Sequence, residues 1–502
     1  MLLNALQRLK DSVLARGRLI INIKTIYKII GSLLFIEAFL LLVCLGIAYL
    51  YGEDDKLAFT LSALACVLFG FVMRYLGRDS DNTLSRRDTY LVVSLTWIVF
   101  SLFGTLPFLI GGYLHSFTDA FFEAMSGFTT TGASIIDDVE ALPHGILFWR
   151  SLMQWIGGLG IVFFTIALLP SLVGGSVKVF AAESSGPLRS RLHPRLSNSS
   201  KWIMGVYTGL TLLCFVCLWG AGLEVFNSVN YALCTLSTGG LTPLNSTSSL
   251  GPLVHYILIF FCFIAGVNFS LLYYSVFKLN FRRLFSNAEF QLYVAIMVVA
   301  TLFIAIQLMA RNGYPLESAL RNSLFQVVSF TTTAGFSIDD AANWPYATWV
   351  VLAACMVMGG CAGSTSGGVK CLRGVVVLKS IRNELKHFLH PNAVLPVKID
   401  GSDVPMNRRV AVFSFISLYL LIFFLSAFVM SAFGIDKMNT LTITLSCLSN
   451  AGATVGAEIS NTMSWSILPL GVKWMCIALM LIGRLEIFSV LVIFTPAFWK
   501  DN

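Results

Sequence analysis

The chain has 502 residues, 56% of them hydrophobic and 12% charged, with a formal net charge of +8. Soluble domains carry about 25% charged residues, so a large soluble protein is excluded, and the apolar content equally excludes a disordered or collagen-like chain. A polytopic helical membrane protein remains.

Residues 1–28 are basic and amphipathic and lack a small-residue cleavage site, which predicts an uncleaved start. Apolar runs follow at 27–51, 57–77, 89–113, 146–173, 202–224, 252–277, 290–310, 346–369, 409–434 and 471–496. A helix needs about 20 residues to cross a bilayer, so each is a candidate span. Shorter semi-apolar stretches near 116–129, 226–236, 316–331 and 438–449 cannot cross and predict buried or re-entrant segments. The 11 cysteines lie mostly inside apolar runs, among them Cys44, Cys66, Cys214, Cys217, Cys262, Cys355 and Cys476. They show no metal-ligand spacing and read as packing residues.

Sorting charge by side explains the +8. With the N-terminus inside, the inner segments 1–28, 74–89, 174–201, 278–289, 370–409 and 497–502 hold 27 of the 34 Lys and Arg. The inner side is then +17 and the outer side −8, with Arg484, Glu37 and Glu486 left within spans. This bias predicts a multi-pass membrane protein with both termini cytoplasmic. The basic inner face suits membrane lipids or an acidic partner, and nucleic acid is not expected.

Each short segment runs into a polar turn containing glycine. The turns carry Thr130-Thr131-Gly132, Thr238-Gly239-Gly240, Thr333-Ala334-Gly335 and Asn450-Ala451-Gly452. The order long span, short segment, Gly turn, long span recurs four times. It predicts an all-α fold of four pseudo-repeated helix–pore-helix–filter–helix units around a central ion pore, plus an N-terminal two-helix hairpin: 10 transmembrane helices and 4 re-entrant pore helices. The hairpin takes residues 1–80 and the units take 81–178, 179–285, 286–390 and 391–502. A pore helix aims the negative end of its dipole at the centre, which favours a cation. Irregular backbone at membrane depth is tolerated where it lines a cavity, and stacked carbonyls replacing a hydration shell form a potassium filter. Turns of this kind at Gly132, Gly240, Gly335 and Gly452 would expose backbone carbonyls to a cation, and no organic cofactor is expected. Ordinary Gly/Thr-rich surface turns are the competing reading; four in register weigh against it. Asp137, Asp138, Asp339 and Asp340 follow the first and third turns, where they either ring the outer mouth and attract cations or form plain solvated loops.

At these residues the chain resembles the Trk/Ktr/HKT superfamily of potassium transporters, and most closely its bacterial TrkH/TrkG branch. The matching stretches are Phe122 to Gly132 (FEAMSGFTTTG), Trp149 to Gly160 (WRSLMQWIGGLG), Gly359 to Gly368 (GGCAGSTSGG) and Gly483 to Phe488 (GRLEIF). The likeness covers nearly the whole chain, and the extra hairpin matches the TrkH branch. It implies four filter glycines at the positions above, a homodimer with one pore per subunit, and a cytosolic ring of TrkA-type nucleotide-binding regulatory subunits. Gly239 departs from the pattern of the other turns and predicts a looser second strand.

Residues 359–368 include Gly359, Gly360, Gly363, Gly367 and Gly368, with Ser364, Thr365 and Ser366 between them. A glycine costs a helix about 1 kcal/mol against alanine, so this span should break. It reads as an intramembrane gate loop, as the resemblance also implies, or as a tight small-residue packing seam. Lys370 lacks phosphate-loop spacing. Arg484, mid-span, should face a cavity or a partner, as a barrier and latch below the filter or as half of a structural salt bridge. Arg484 and Glu486, two positions apart on a helix, do not face each other, so each is expected to find a partner in another unit. Glu37 falls within a span of the peripheral hairpin, where it is expected to be protonated and paired with a neighbouring span, and the six histidines form no motif.

The reading is therefore a channel-like potassium uptake subunit. A proton- or sodium-coupled symporter is the alternative and would need a titrating acid beside the ion path. An enzyme is not expected, since HExxH and catalytic Ser/His or paired-Asp spacings are absent.

Overall fold

A computed structural model describes residues 21–80, 84–172, 196–277, 279–393, 395–454 and 464–499; for 86, 161–172, 196–201, 276, 277 and 342 it describes the backbone alone. The basic start at 1–20, most of the basic segment at 174–201, residues 500–502 and the expected boundaries at 81 and 178–179 lie outside the described residues.

The hairpin comprises α1 (Ile23–Tyr51) and α2 (Lys56–Leu76). Its helices cross at Gly31 and Gly70, where a Cβ on Gly31 would stand 2.6 Å from the Gly70 carbonyl oxygen; only glycine permits that approach. In chain order come α3 (Arg86–Gly104), α4 (Phe117–Phe128), α5 (His144–Leu172), α6 (Leu196–Gly220), α7 (Val225–Ser237), α8 (Pro252–Ala265), α9 (Phe269–Phe277), α10 (Ala288–Asn312), α11 (Leu316–Thr331), α12 (Tyr346–Met358), α13 (Cys371–Leu389), α14 (Met406–Ala432), α15 (Lys437–Ser449) and α16 (Leu470–Arg484). Several ends are chemically fixed. Ser85 and Asp88 form a capping box on α3, the Asn287 side chain accepts from the Phe290 N–H at the start of α10, and Gly52 and Gly313 stop α1 and α10 in left-handed conformation.

The surface is apolar where a soluble protein would be polar. Leu57, Leu61, Leu64, Leu68 and Phe71 of α2, and Val298, Val299, Leu302 and Ile306 of α10, are all exposed, as lipid-facing residues are. The chain is a helical membrane protein.

The ten apolar runs do not become ten straight helices. Among the described residues six helices are long and apolar enough to cross, namely Ile23–Tyr51, Lys56–Leu76, Arg87–Ile110, Trp202–Gly220, Ala288–Asn312 and Met406–Ala432. Two bent pairs raise this to eight: α8 with Phe269–Ser275 at 103°, and α16 with Phe488–Phe494 at 108°. The run at 346–369 yields only the 13-residue α12. Within α5, Gly160 has φ 69° and ψ 151° and interrupts the helix. Hydropathy counts apolar side chains and does not register where glycines let the backbone break; the sequence singled out only the 359–368 break. A correction concerns the all-α expectation. Lys398–Ile399 pairs antiparallel with Ser402–Asp403, turned by Asp400 and Gly401 at φ 47° and 77°, an Asp-Gly hairpin signal.

The packing closes on itself. Phe121, Phe122 and Met125 of α4 share a core with Ile443 and Cys447 of α15 and with Val472 and Cys476 of α16, so an early helix meets the last ones. Leu485, Val490 and Phe498 near the C-terminus join the core of α1 and α3. The eleven cysteines are free, and all but Cys217 are fully buried.

Candidate functional site

The short helices α4, α7, α11 and α15 each end in a turn of the same shape. The residue two before the glycine and the glycine itself both have positive φ. The values are 53° and 84° for Thr130 and Gly132, 54° and 86° for Thr238 and Gly240, 55° and 74° for Thr333 and Gly335, and 55° and 69° for Asn450 and Gly452. Glycine adopts this region freely, whereas a β-branched threonine does so only under constraint. Strain held at one place in three turns, with asparagine, which tolerates this region, at the same place in the fourth, marks a site over-determined by its surroundings.

The four turns meet. A Cβ on Gly132 would fall 2.0 Å from the carbonyl oxygen of Gly239, one on Gly240 2.4 Å from that of Ala334, one on Gly335 2.3 Å from that of Ala451, and one on Gly452 2.2 Å from that of Thr131. The order closes into a ring of backbone in which any side chain on a glycine would strike the next turn. Asn450 adds a side-chain link from fourth turn to first, its Nδ2 donating to Thr131 Oγ1 at 3.0 Å and to the Met480 carbonyl at 2.8 Å.

Gly239, expected to loosen the second strand, is clamped. The Gln154 amide donates to the Gly239 carbonyl at 2.7 Å and accepts from the Leu241 N–H at 3.0 Å. A Cβ on Gly239 would lie 2.4 Å from Gln154 Cδ, so the glycine makes room for the clamp. Behind the first turn, buried Arg150 donates to Glu123 Oε1 and to Ser134 Oγ, both at 2.9 Å, and to the Thr242 carbonyl at 3.3 Å. Glu123 also accepts from the Ile135 N–H at 3.0 Å. One ion pair thus ties the segments that leave the first two turns.

Above the ring lies an open cavity of about 1040 Å³, lined by all four glycines and by Asp137, Asp339, Asp340 and Arg150. Asp138 is not in its lining and accepts from Asn245 Nδ2 at 2.9 Å instead. Asp339 accepts from Tyr314, Asn322 and Trp344. Burial, with the Asp339 charge second, pushes the Tyr314 hydroxyl above its ordinary pKa and keeps it a donor. The four aspartates therefore split: three face the cavity, and one serves the neighbouring loop.

On the other side of the ring sits the loop from Gly359 to Lys370. Gly359, Gly363, Gly368 and Lys370 have positive φ, between 67° and 77°. Thr365 Oγ1 donates to the Leu236 carbonyl at 3.0 Å, the Gly367 N–H donates to Thr333 Oγ1 at 2.7 Å, and the Gly368 N–H donates to the Ser449 carbonyl at 3.1 Å. The loop thus touches the inner ends of the second, third and fourth short helices. Its shoulders bind the break between α8 and α9: the Cys361 N–H donates to the Gly266 carbonyl at 2.8 Å, the Phe269 N–H to the Gly363 carbonyl at 3.1 Å, and Asn268 Nδ2 to the Ala362 carbonyl at 2.5 Å. Ser364 Oγ is 2.7 Å from Ser366 Oγ, which accepts from the Gly360 N–H.

Arg484 ends α16 and donates to the Thr365 carbonyl at 2.9 Å and to the Gly157 carbonyl. It therefore binds one carbonyl of the loop and one of α5, both across segments. Glu486 pairs with Arg373 of α13 at 2.6 Å, also across segments. Both carboxylate oxygens of Glu37 are buried with no hydrogen-bond partner among the described residues, so the expected pairing with a neighbouring span is not seen.

Sequence reasoning missed Gln154, the Glu123–Arg150 pair, Arg373 as partner of Glu486, and Glu289, which is taken up below. A signal existed for the first two. Arg150 and Gln154 lie four apart in an otherwise apolar run, on one helix face, and an ionisable residue in such a run normally has a partner. Arg150 and Lys473, both outside the basic inner segments, are buried in ion pairs, Lys473 with Asp119 at 2.7 Å.

Comparison with known proteins gives a consistent picture. The family model "TrkH: Cation transport protein" matches residues 55–501. The chain is 34% identical over 489 residues to the "Trk system potassium uptake protein TrkH" of Escherichia coli K12, covering 96% of this chain and 100% of that protein. It is also 31% identical over 487 residues to the TrkG protein of the same organism, covering 96% and 99%. The crystal structure of the potassium transporter TrkH from Vibrio parahaemolyticus superposes with a TM-score of 0.86 at 32% identity, covering 95% of this chain and 99% of that one.

Proposed function

The chain belongs to the TrkH family of cation transport proteins, which are transporters and not enzymes, and on that footing we propose that it takes up potassium across the bacterial inner membrane through a channel-like pore. The observation that carries this reading is the closed ring of four glycine turns, each glycine packed on the carbonyl before the next glycine. Such a ring offers layers of carbonyl oxygens in place of water, and the C-terminal ends of four short helices make its centre favourable to a cation. The relatives' names, which specify potassium uptake, select the ion.

In this reading the units 81–178, 179–285, 286–390 and 391–502 surround the pore as pseudo-repeats, with ten spans and four re-entrant helices. Thr130 to Gly132, Thr238 to Gly240, Thr333 to Gly335 and Asn450 to Gly452 form the filter. Asp137, Asp339 and Asp340 raise cation concentration at the outer mouth. The loop at 359–368, pinned by Arg484, closes the pore below. The basic excess on the inner segments puts both termini in the cytoplasm. A homodimer under a cytosolic TrkA-type nucleotide-binding ring completes the assembly, on the strength of the family resemblance alone.

Single-channel recording of the purified protein in a lipid bilayer, with and without the ring, tests this. Discrete potassium-selective openings are expected. Uptake that collapses with the proton gradient at fixed voltage would instead make the protein a coupled symporter.

A further inference from the structure

The loop under the ring has two sets of contacts. Its tip, Thr365 to Gly368, binds Leu236, Thr333, Ser449 and Arg484. Its shoulders are gathered by one carboxylate. Glu289 lies in the first turn of α10 and is 4% exposed. Its Oε1 accepts from the Ala362 N–H at 2.5 Å and from the Leu372 N–H at 3.0 Å. These donors are ten residues apart and stand on either side of the tip. Leu372 is in the first turn of α13, where N–H groups lack intrahelical partners. The carboxylate thus sits at the N-terminal ends of α10 and α13 together, where a negative charge is favoured, and hydrogen bonds to an ionised acceptor are the stronger kind. The post is itself fixed, because Asp400 accepts from Asn287 Nδ2 at 2.6 Å and from the Ala288 N–H at 2.9 Å, holding the start of α10.

We infer that Glu289 is a positioning residue for the 359–370 loop: its carboxylate joins the two shoulders into a fixed base, about which the tip swings away from Arg484 and the filter turns. The inference rests on the reading of this loop as the gate. It separates two classes of variant. Arg484→Ala releases the tip and leaves the base tied. Glu289→Ala unties the base, and Glu289→Gln, which keeps an acceptor oxygen without its charge, does so in part.

Two native thiols report on the base. Cys361 and Cys371 adjoin the two donors and are fully buried. The full-length protein in lipid nanodiscs is labelled with a maleimide, and rates at each cysteine are read by mass spectrometry. Glu289→Ala should label Cys361 and Cys371 about tenfold faster, as loss of hydrogen bonds to a charged group implies, while Cys44 and Cys66 in the hairpin stay protected. Glu289→Gln should fall between wild type and Glu289→Ala. Rubidium flux in proteoliposomes should rise in both variants with the potassium-to-sodium reversal potential unchanged. Arg484→Ala should raise flux without exposing either thiol.

Wild-type labelling in folded Glu289→Ala and Glu289→Gln proteins overturns the inference, and an Arg484→Ala flux increase in the same experiment leaves the gate reading standing. Faster labelling at all four cysteines also overturns it, since that is general loosening. Faster labelling at Cys361 and Cys371 with flux unchanged in every variant overturns the hinge as stated and places the failure in the gate reading.

Discussion

Arg484 donates to the carbonyl of Thr365, 2.9 Å away and 119 positions earlier in the chain. The same guanidinium holds the Gly157 carbonyl, so one cation at the end of α16 joins the loop to the break region of α5. A hydrogen bond to a charged group contributes about 1.5–3 kcal/mol. Replacing Arg484 with alanine should cost the closed loop at least one such bond and raise basal rubidium flux by about tenfold or more. Arg484→Lys, a point charge without the planar fork, should keep one contact and fall between. Flux at the wild-type level in Arg484→Ala would show that this contact does not hold the pore closed.

Gly335 has φ 74° and its added Cβ would meet the Ala451 carbonyl at 2.3 Å. Gly335→Ser therefore has to displace that carbonyl. Potassium-over-sodium selectivity, read as reversal potential in mixed salts, should fall, with the protein still assembled. A wild-type reversal potential would remove the third turn from the filter.

Gln154 should be needed for selectivity although it precedes the second turn by 85 positions. Gln154→Leu removes two buried hydrogen bonds, each contributing about 0.5–1.5 kcal/mol, and leaves the Gly239 carbonyl free to rotate. The expected outcome is weaker selectivity with little change in melting temperature. Equal loss of both would make Gln154 a general packing residue.

Breaking the Glu123–Arg150 pair should destabilise the fold. Both side chains are almost fully buried, and leaving one uncompensated costs about 3–5 kcal/mol. Glu123→Ala should lower the melting temperature in detergent, and Glu123→Met with Arg150→Met together should recover part of the loss. A double variant no better than the single one would mean that the pair is not energetically coupled.

The sequence by itself determined the class, the short helices and the four turns. Apolar runs report transfer from water, which depends on side chains in one stretch, and the turn glycines stand out because φ above zero is a local demand. Arg484 and the 359–368 break were legible for the same reason: a charge or five glycines inside an apolar run violates a local rule. The contacts that give these residues their setting were not legible. Gln154 reaching Gly239, Arg373 reaching Glu486, and Glu289 joining Ala362 to Leu372 pair groups 73 to 113 positions apart or hold a loop from a third element. Glu289 and Arg373 alone look like unremarkable polar residues near a helix start, and Gln154 stands out in its apolar run without naming its partner. Only the folding of distant segments onto one another brought them within hydrogen-bond distance, and burial there, where no water can substitute, makes each bond count.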